Sequence, residues 1–231
     1  MFDVDGTLTP SRGRMDEAFS LWFQSFCHDH NVYLVTGSDK PKTLEQVGEN
    51  VYNLCKRVYQ CSGNDVWEKD VNVKKNDWIL PEEPHEWLSV KLTESYFPIR
   101  TGLHFEHRSG MVNFSIVGRN ATLEEREKYV LFNSAEDERW KIASEFNRLF
   151  PELQATVGGD TGIDISLKGM SKKQVLTDFA KDATMNFYGD KTTPGGNDYE
   201  IAMKIRADGN TAVQVDDWRH TWKLLKEKCK Q

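Results

Sequence analysis

Two carboxylates two residues apart, Asp3 and Asp5, close a short apolar stretch in Phe2-Asp3-Val4-Asp5-Gly6-Thr7-Leu8-Thr9. At the end of an extended strand such a pair points the same way, and Gly6 lets the chain swing off into a loop. A carboxylate can attack phosphorus and carry the phosphoryl group as an aspartyl-phosphate. Its neighbour can move the proton of the departing or arriving oxygen. Carboxylates and phosphate are all negative, so the pair needs a cation, and Mg²⁺ suits oxygen ligands and phosphate. An acidic turn accounts for D-x-D alone. It does not account for the whole string followed by partner motifs downstream.

Those partners are present. Gly189-Asp190 ends another predicted strand and leads into Lys191-Thr192-Thr193-Pro194-Gly195-Gly196-Asn197-Asp198. Asp3, the backbone carbonyl of Asp5, and Asp190 would form an oxygen site for Mg²⁺. Asn197 and Asp198 would complete the metal set from behind. Lys172 begins a predicted helix and could neutralise the nucleophile and its phosphate, with Lys173 and Lys168 as neighbours in sequence. Ser38 or Thr36, at the start of a helix, could bind a phosphate oxygen together with backbone N–H groups.

The elements that would position these residues alternate. Met15, Ala18, Phe19, Trp22, Phe23 and Phe26 recur at helical spacing, so residues 15–27 are expected to form an amphipathic helix. Residues 32–35 read as a buried parallel-type strand, 41–55 as a helix interrupted at Gly48, 58–61 as a third strand, and Gly63-Asn64-Asp65 as a turn. The order β-α-β-α-β argues for a parallel sheet with right-handed crossovers, whose ligands bind outside the carboxyl ends of the strands. Over residues 77–168 the character changes. A helix at 85–95 is followed by a hairpin, 103–107 and 111–117. A charged helical region, 122–149, has a break at Asn133-Ser134. A strand pair then turns at Gly158-Gly159-Asp160. The α/β rhythm returns with a helix at 171–180, a strand at 184–188, a helix at 198–205, a strand at 211–215 and a closing helix. Trp218, Trp222, Leu225 and Cys229 share one face of that last helix, at core spacing.

The chain has 231 residues and a net charge of −6, which argues against an extended nucleic-acid footprint. Cys27, Cys55, Cys61 and Cys229 lack metal-type spacing and read as reduced thiols of a cytoplasmic protein. Cys27-His28-Asp29-His30 reads as a polar helix terminus. No membrane span or signal peptide is expected.

Taken together, the first motif, Thr36-Gly37-Ser38-Asp39, Lys172 and the Gly189–198 block resemble the four motifs of the haloacid dehalogenase superfamily. The match is closer to one branch. Gly189-Asp190-Lys191-Thr192 and Pro194-Gly195-Gly196-Asn197-Asp198 resemble the fourth motif of eukaryotic-type phosphomannomutases. So does Arg108-Ser109-Gly110-Met111-Val112-Asn113-Phe114-Ser115-Ile116-Val117-Gly118-Arg119, followed by Glu124-Glu125-Arg126. The resemblance spans nearly the whole chain and is weak over 66–100.

The resemblance implies an α/β fold: a doubly wound parallel-sheet core of the haloacid dehalogenase type, residues 1–76 and 169–231, with an inserted α+β cap of the C2 type, residues 77–168. The site would lie between them. It implies Asp3 as nucleophile, Asp5 as general acid/base, and Mg²⁺ on Asp3, Asp5 and Asp190. Arg12, Arg108, Arg119, Arg126 and Asp164 match substrate-binding positions. Three positions depart from the pattern. Gly162 stands where a substrate-contacting serine is common, Lys204 lies near the place of an acid that supports a second cation, and Thr36-Gly37 replaces two glycines. The first strand is also shorter than is usual among such proteins.

The expected function is Mg²⁺-dependent interconversion of mannose 6-phosphate and mannose 1-phosphate. It would run through an aspartyl-phosphate and a hexose 1,6-bisphosphate that also serves as activator. A sugar-phosphate phosphatase using the same nucleophile is the alternative, and a non-enzymatic sugar-phosphate binder is a third reading. The expected partner is a small sugar phosphate, with no nucleic acid and no membrane. A homodimer, if formed, would use the cap.

Overall fold

The computed structural model describes residues 1–229. The chain divides into two compact units. One comprises residues 1–76, 170–194 and 198 onward, and the other 77–169 together with Gly195–Asn197.

The first unit is built on a parallel sheet. Phe2 pairs in parallel with Leu34 on one side and Tyr188 on the other. It therefore joins the strand Tyr33–Val35 to the strand Asn186–Gly189. Arg57–Gln60 extends the sheet beyond the first of these, and Thr211–Gln214 beyond the second, all parallel. One face is covered by a cluster containing Phe19, Phe23, Val47 and Val51, the other by one containing Tyr59, Val175, Ile201 and Ile205. Apolar residues on both faces are what a doubly wound parallel sheet requires.

The helix Glu17–Asp29 starts where Asp16 accepts a hydrogen bond from the Phe19 N–H, and it buries Phe19, Phe23 and Cys27 at four-residue intervals. Its end is polar as the sequence predicts, with His28, Asp29 and His30 exposed. The helix Lys40–Leu54 is capped by Asp39 and broken at Gly48, the predicted interruption, whose φ of 77° only glycine adopts without strain. The break has a use. The Gln46 carbonyl near it accepts a hydrogen bond from the Met15 N–H at 2.7 Å.

Three details differ from the sequence reading. Beyond the turn at Gly63-Asn64 the chain forms an unforeseen hairpin, Asp65–Glu68 and Val71–Lys75, added antiparallel to the sheet edge. Its outer strand is exposed along its whole length, so it has no buried face to produce an alternating pattern. The expected α-helix at 171–180 is a 3₁₀ run, Lys172–Asp178, that buries Lys172 and Val175. Their three-residue spacing matches the 3₁₀ period. Trp218 and Trp222 pack against Phe19 as expected, whereas Cys229, past the end of Trp218–Lys228, is exposed.

The second unit carries a four-stranded antiparallel sheet, ordered Phe105–Arg108, Met111–Phe114, Gly162–Leu167, Leu153–Gly158. Val112, Phe114, Ile163, Ile165 and Ala155 turn to a core closed by the helices Glu82–Glu94, Leu123–Glu136 and Glu138–Leu149. The alternate residues form a polar row across the sheet: Glu106 opposite Asn113, Asn113 opposite Asp164, Asp164 opposite Thr156. The helical break falls at Asp137, in the left-handed region at φ 51°, four residues beyond the expected Asn133. Asn133 still shapes it, since its Oδ1 accepts from the Arg139 N–H at 2.9 Å. Among the described residues no helix is long and apolar enough to cross a membrane.

Candidate active site

The register of the parallel sheet brings the first and last motifs together. The Asp3 N–H donates to the Tyr188 carbonyl at 2.9 Å, so Asp3 leaves its strand beside Gly189-Asp190. Asp3, Asp190 and Asp198 each offer an oxygen, all within 4.8 Å of one another. The space for two of these carboxylates is made by glycines. A Cβ on Gly6 would lie 2.6 Å from Asp190 Oδ2, and one on Gly189 2.6 Å from Asp198 Oδ2.

Lys172 Nζ donates to Asp3 Oδ1 at 2.5 Å and to Asp198 Oδ1 at 2.7 Å. It is 1 % exposed. Lys173 instead pairs with Glu200 on the surface, so geometry selects Lys172 of the two. Burial opposes the charge on Lys172, but Asp198 and Asp3 outweigh it and hold its pKa above the ordinary value, so it stays an ammonium. Burial, and then the neighbouring Asp198, push the Asp3 carboxyl well up. Burial also raises Asp190.

Lys191 Nζ also lies 3.4 Å from Asp190 Oδ2, at the open side of the site, so three carboxylates face two ammonium groups and a formal −3 + 2 = −1 remains. An all-oxygen donor set with that charge fits a hard divalent cation such as Mg²⁺.

The Asp5 carboxylate stands outside this cluster. Its Oδ1 accepts from the Arg12 N–H at 2.6 Å and from Gln46 Nε2 at 2.8 Å, and its Oδ2 from Ser38 Oγ at 3.4 Å. Arg12 takes a positive φ of 55° there. Three donors thus fix the second acid of the first motif. Ser38 is buried, and its own N–H donates to Thr36 Oγ1 at 3.1 Å. Sequence reasoning missed Gln46. The available signal was an amide on the buried side of a helix, beside Thr43 and Val47.

The remaining candidates belong to the second unit. Arg108 Nε and Nη2 donate to Glu106 Oε1 at 3.0 and 2.9 Å, and Arg119 Nε donates to Glu106 Oε2. Arg126 is buried in the first turn of Leu123–Glu136, behind a capping box of Thr122 and Glu125. Asp164 Oδ1 accepts from Asn113 Nδ2 at 2.6 Å. A Cβ on Gly162 would fall 2.4 Å from that Nδ2, so the glycine leaves room for the Asn113–Asp164 pair. Asn197 groups with this unit, and its Oδ1 is buried without a hydrogen-bond partner among the described residues. Lys204 belongs to the first unit and pairs with Asp208 on the surface.

A family profile described as eukaryotic phosphomannomutase matches residues 22–228. The phosphomannomutase of Saccharomyces cerevisiae is 34 % identical over 237 residues, covering 98 % of this chain and 92 % of the yeast protein. That of Encephalitozoon cuniculi is 33 % identical, covering 94 % and 89 %. The chain belongs to the eukaryotic phosphomannomutase family.

Solved structures place the fold of this family member among haloacid dehalogenase phosphotransferases. A sugar phosphatase of subclass IIB superposes with a TM-score of 0.57 at 13 % identity, covering 99 % of this chain and 97 % of the phosphatase. An IMP-nucleotidase of Plasmodium falciparum gives 0.61 at 15 %, covering 100 % and 67 %. The α/β architecture is therefore that of a haloacid dehalogenase core with a cap, as the motifs implied.

Proposed function

We propose that the protein interconverts mannose 6-phosphate and mannose 1-phosphate by two phosphoryl transfers through Asp3, with Mg²⁺ as cofactor and a hexose 1,6-bisphosphate as intermediate and activator. The observation that carries this reading is the buried Asp3–Lys172–Asp198 contact beside Asp190, in a chain of this family. A substrate with phosphate at either end also needs an anion site, and the Arg108–Glu106–Arg119 arrangement supplies guanidinium groups suited to one.

In this reading an Asp3 oxygen attacks phosphorus of the bisphosphate. The bond from phosphorus to the sugar oxygen breaks, and Asp5 as an acid gives that oxygen its proton. Lys172 holds Asp3 in place and offsets the negative charge that gathers there. In the converse step a sugar monophosphate that carries its phosphate at the opposite end is the acceptor: its free hydroxyl loses its proton to Asp5 and takes the phosphoryl group from Asp3, which regenerates the bisphosphate. Gln46, Ser38 and the Arg12 N–H keep Asp5 aimed through both steps. Asp3, Asp190 and Asp198 would hold Mg²⁺, which when bound supplies charge neutralisation at the phosphoryl oxygens. Asp164, fixed by Asn113, would accept hydrogen bonds from sugar hydroxyls.

One assay tests this. Mannose 1-phosphate with Mg²⁺ and a catalytic amount of hexose 1,6-bisphosphate should give mannose 6-phosphate, and Asp3→Asn should give none. Free phosphate without isomerisation would replace the mutase reading with a phosphatase. Neither product from a folded protein would leave only binding.

A further inference from the structure

Glu106 has no role in the chemistry above, yet it engages two of the arginines through both of its oxygens. Alternation along Phe105–Arg108 puts Glu106 and Arg108 on one face of the sheet, and Arg119 reaches the same carboxylate from the far end of the hairpin. The arginine side chains are 8 % and 11 % exposed and the Glu106 side chain 33 %. The carboxylate is thus the most open member of the trio. The bond it makes uses Nε and Nη2 of Arg108. That is the edge a guanidinium offers to a phosphate.

We propose that Glu106 is a built-in competitor of the substrate phosphate at Arg108 and Arg119, and that its charge weakens the arginine site enough for a bound bisphosphate to let go and turn round. The purpose of such a competitor rests on the mutase reading, because only a mutase has to release the distal phosphate halfway through turnover. The electrostatics do not depend on that reading. A carboxylate held between two guanidiniums repels an arriving phosphate and occupies the donors it needs. Without that charge, the site would bind anions more tightly and release them more slowly. Where release limits turnover, tight binding lowers kcat.

The test is a calorimetric titration of the full chain with inorganic phosphate in EDTA, with Arg119→Ala as the background that has lost the site. Glu106→Gln keeps the size and removes the charge. It should tighten phosphate binding about tenfold. In the mutase assay it should lower KM and kcat together. Glu106→Asp retains the charge and should stay within about threefold of the parent protein. Weaker phosphate binding in Glu106→Gln would overturn the proposal and leave Glu106 as a scaffold for the arginines. Equal tightening in Glu106→Asp would overturn it too, since packing rather than charge would then be responsible. If Glu106→Gln does not fold, Glu106→Ala is titrated against the same criterion. The titration needs no turnover, so an inactive parent protein would sink the mutase reading and leave this result interpretable.

Discussion

Lys172 Nζ lies 2.5 Å from Asp3 Oδ1, across 169 positions of sequence, with both side chains shut away from solvent. The lysine also holds Asp198, so it is the cation around which the carboxylates of the first and last motifs gather. Removing one partner of a buried ion pair leaves the other charge uncompensated, at a cost of about 3–5 kcal/mol. Lys172→Met should therefore destabilise the protein by about that much in urea unfolding. It should also abolish turnover, and added Mg²⁺ should restore part of the stability.

Burial and the like charge of Asp198 raise the Asp190 carboxyl, and the Lys191 ammonium 3.4 Å away offsets them only in part. Asp190→Asn should stabilise the metal-free protein, by about 2–4 °C in Tm for each kcal/mol of repulsion relieved. Scanning calorimetry with and without Mg²⁺ checks the sign. The ion should raise the Tm of the parent protein well above its effect on the variant. A lower Tm for metal-free Asp190→Asn would contradict this electrostatic picture of the cluster.

Gly6 has a φ of 78°, and any Cβ there meets Asp190 Oδ2 at 2.6 Å. Gly6→Ala should cost about 1–2 kcal/mol from the left-handed backbone alone. It should also weaken Mg²⁺ binding by displacing Asp190. A titration showing full Mg²⁺ affinity in Gly6→Ala would mean that Asp190 does not hold the ion.

Gln46 Nε2 donates to Asp5 Oδ1 at 2.8 Å and to Thr9 Oγ1 at 3.4 Å. Gln46→Leu should lower kcat about tenfold to a hundredfold while KM stays near the parent value, the pattern of a misaimed proton donor. Steady-state kinetics on mannose 1-phosphate decide it, and an unchanged kcat would remove Gln46 from the site.

Glu106 supplies a pH dependence. Burial pushes its carboxyl up, but Arg108 and Arg119 outweigh burial and hold it below its ordinary value of 4.5. A depressed carboxyl stabilises the fold above its unfolded value, and the contribution is lost as pH falls through the folded value. Tm measured downward from pH about 6 should therefore drop below about 4.5 less steeply in Glu106→Gln than in the parent.

How far the fold and the site were legible in the sequence depends on range. Asp3, Asp190 and Asp198 sit in strings that follow apolar runs, and parallel β-α-β order alone sends strand ends to one side. Gly48 was legible as a break because a glycine in the middle of an amphipathic run weakens the helix at that point. The hairpin Asp65–Glu68 and Val71–Lys75 was not, since Val71 and Val73 are exposed and bury no face. Gln46 and Glu106 were hidden for another reason. An amide on a helix and an acid in a strand have many ordinary uses, and only the positions of Asp5, Arg108 and Arg119 in space give these two a role.

The tripeptide Gly195–Asn197 has a consequence for dissection. It groups with residues 77–169 although its covalent neighbours, Pro194 and Asp198, group elsewhere, and Gly196 bridges to Val157. A fragment cut at 77 and 169 would lack that bridging piece and leave the end of the strand Leu153–Gly158 bare. Gene splitting or domain transplantation at those two boundaries would thus produce an incomplete module, and a faithful graft has to bring the short downstream loop along.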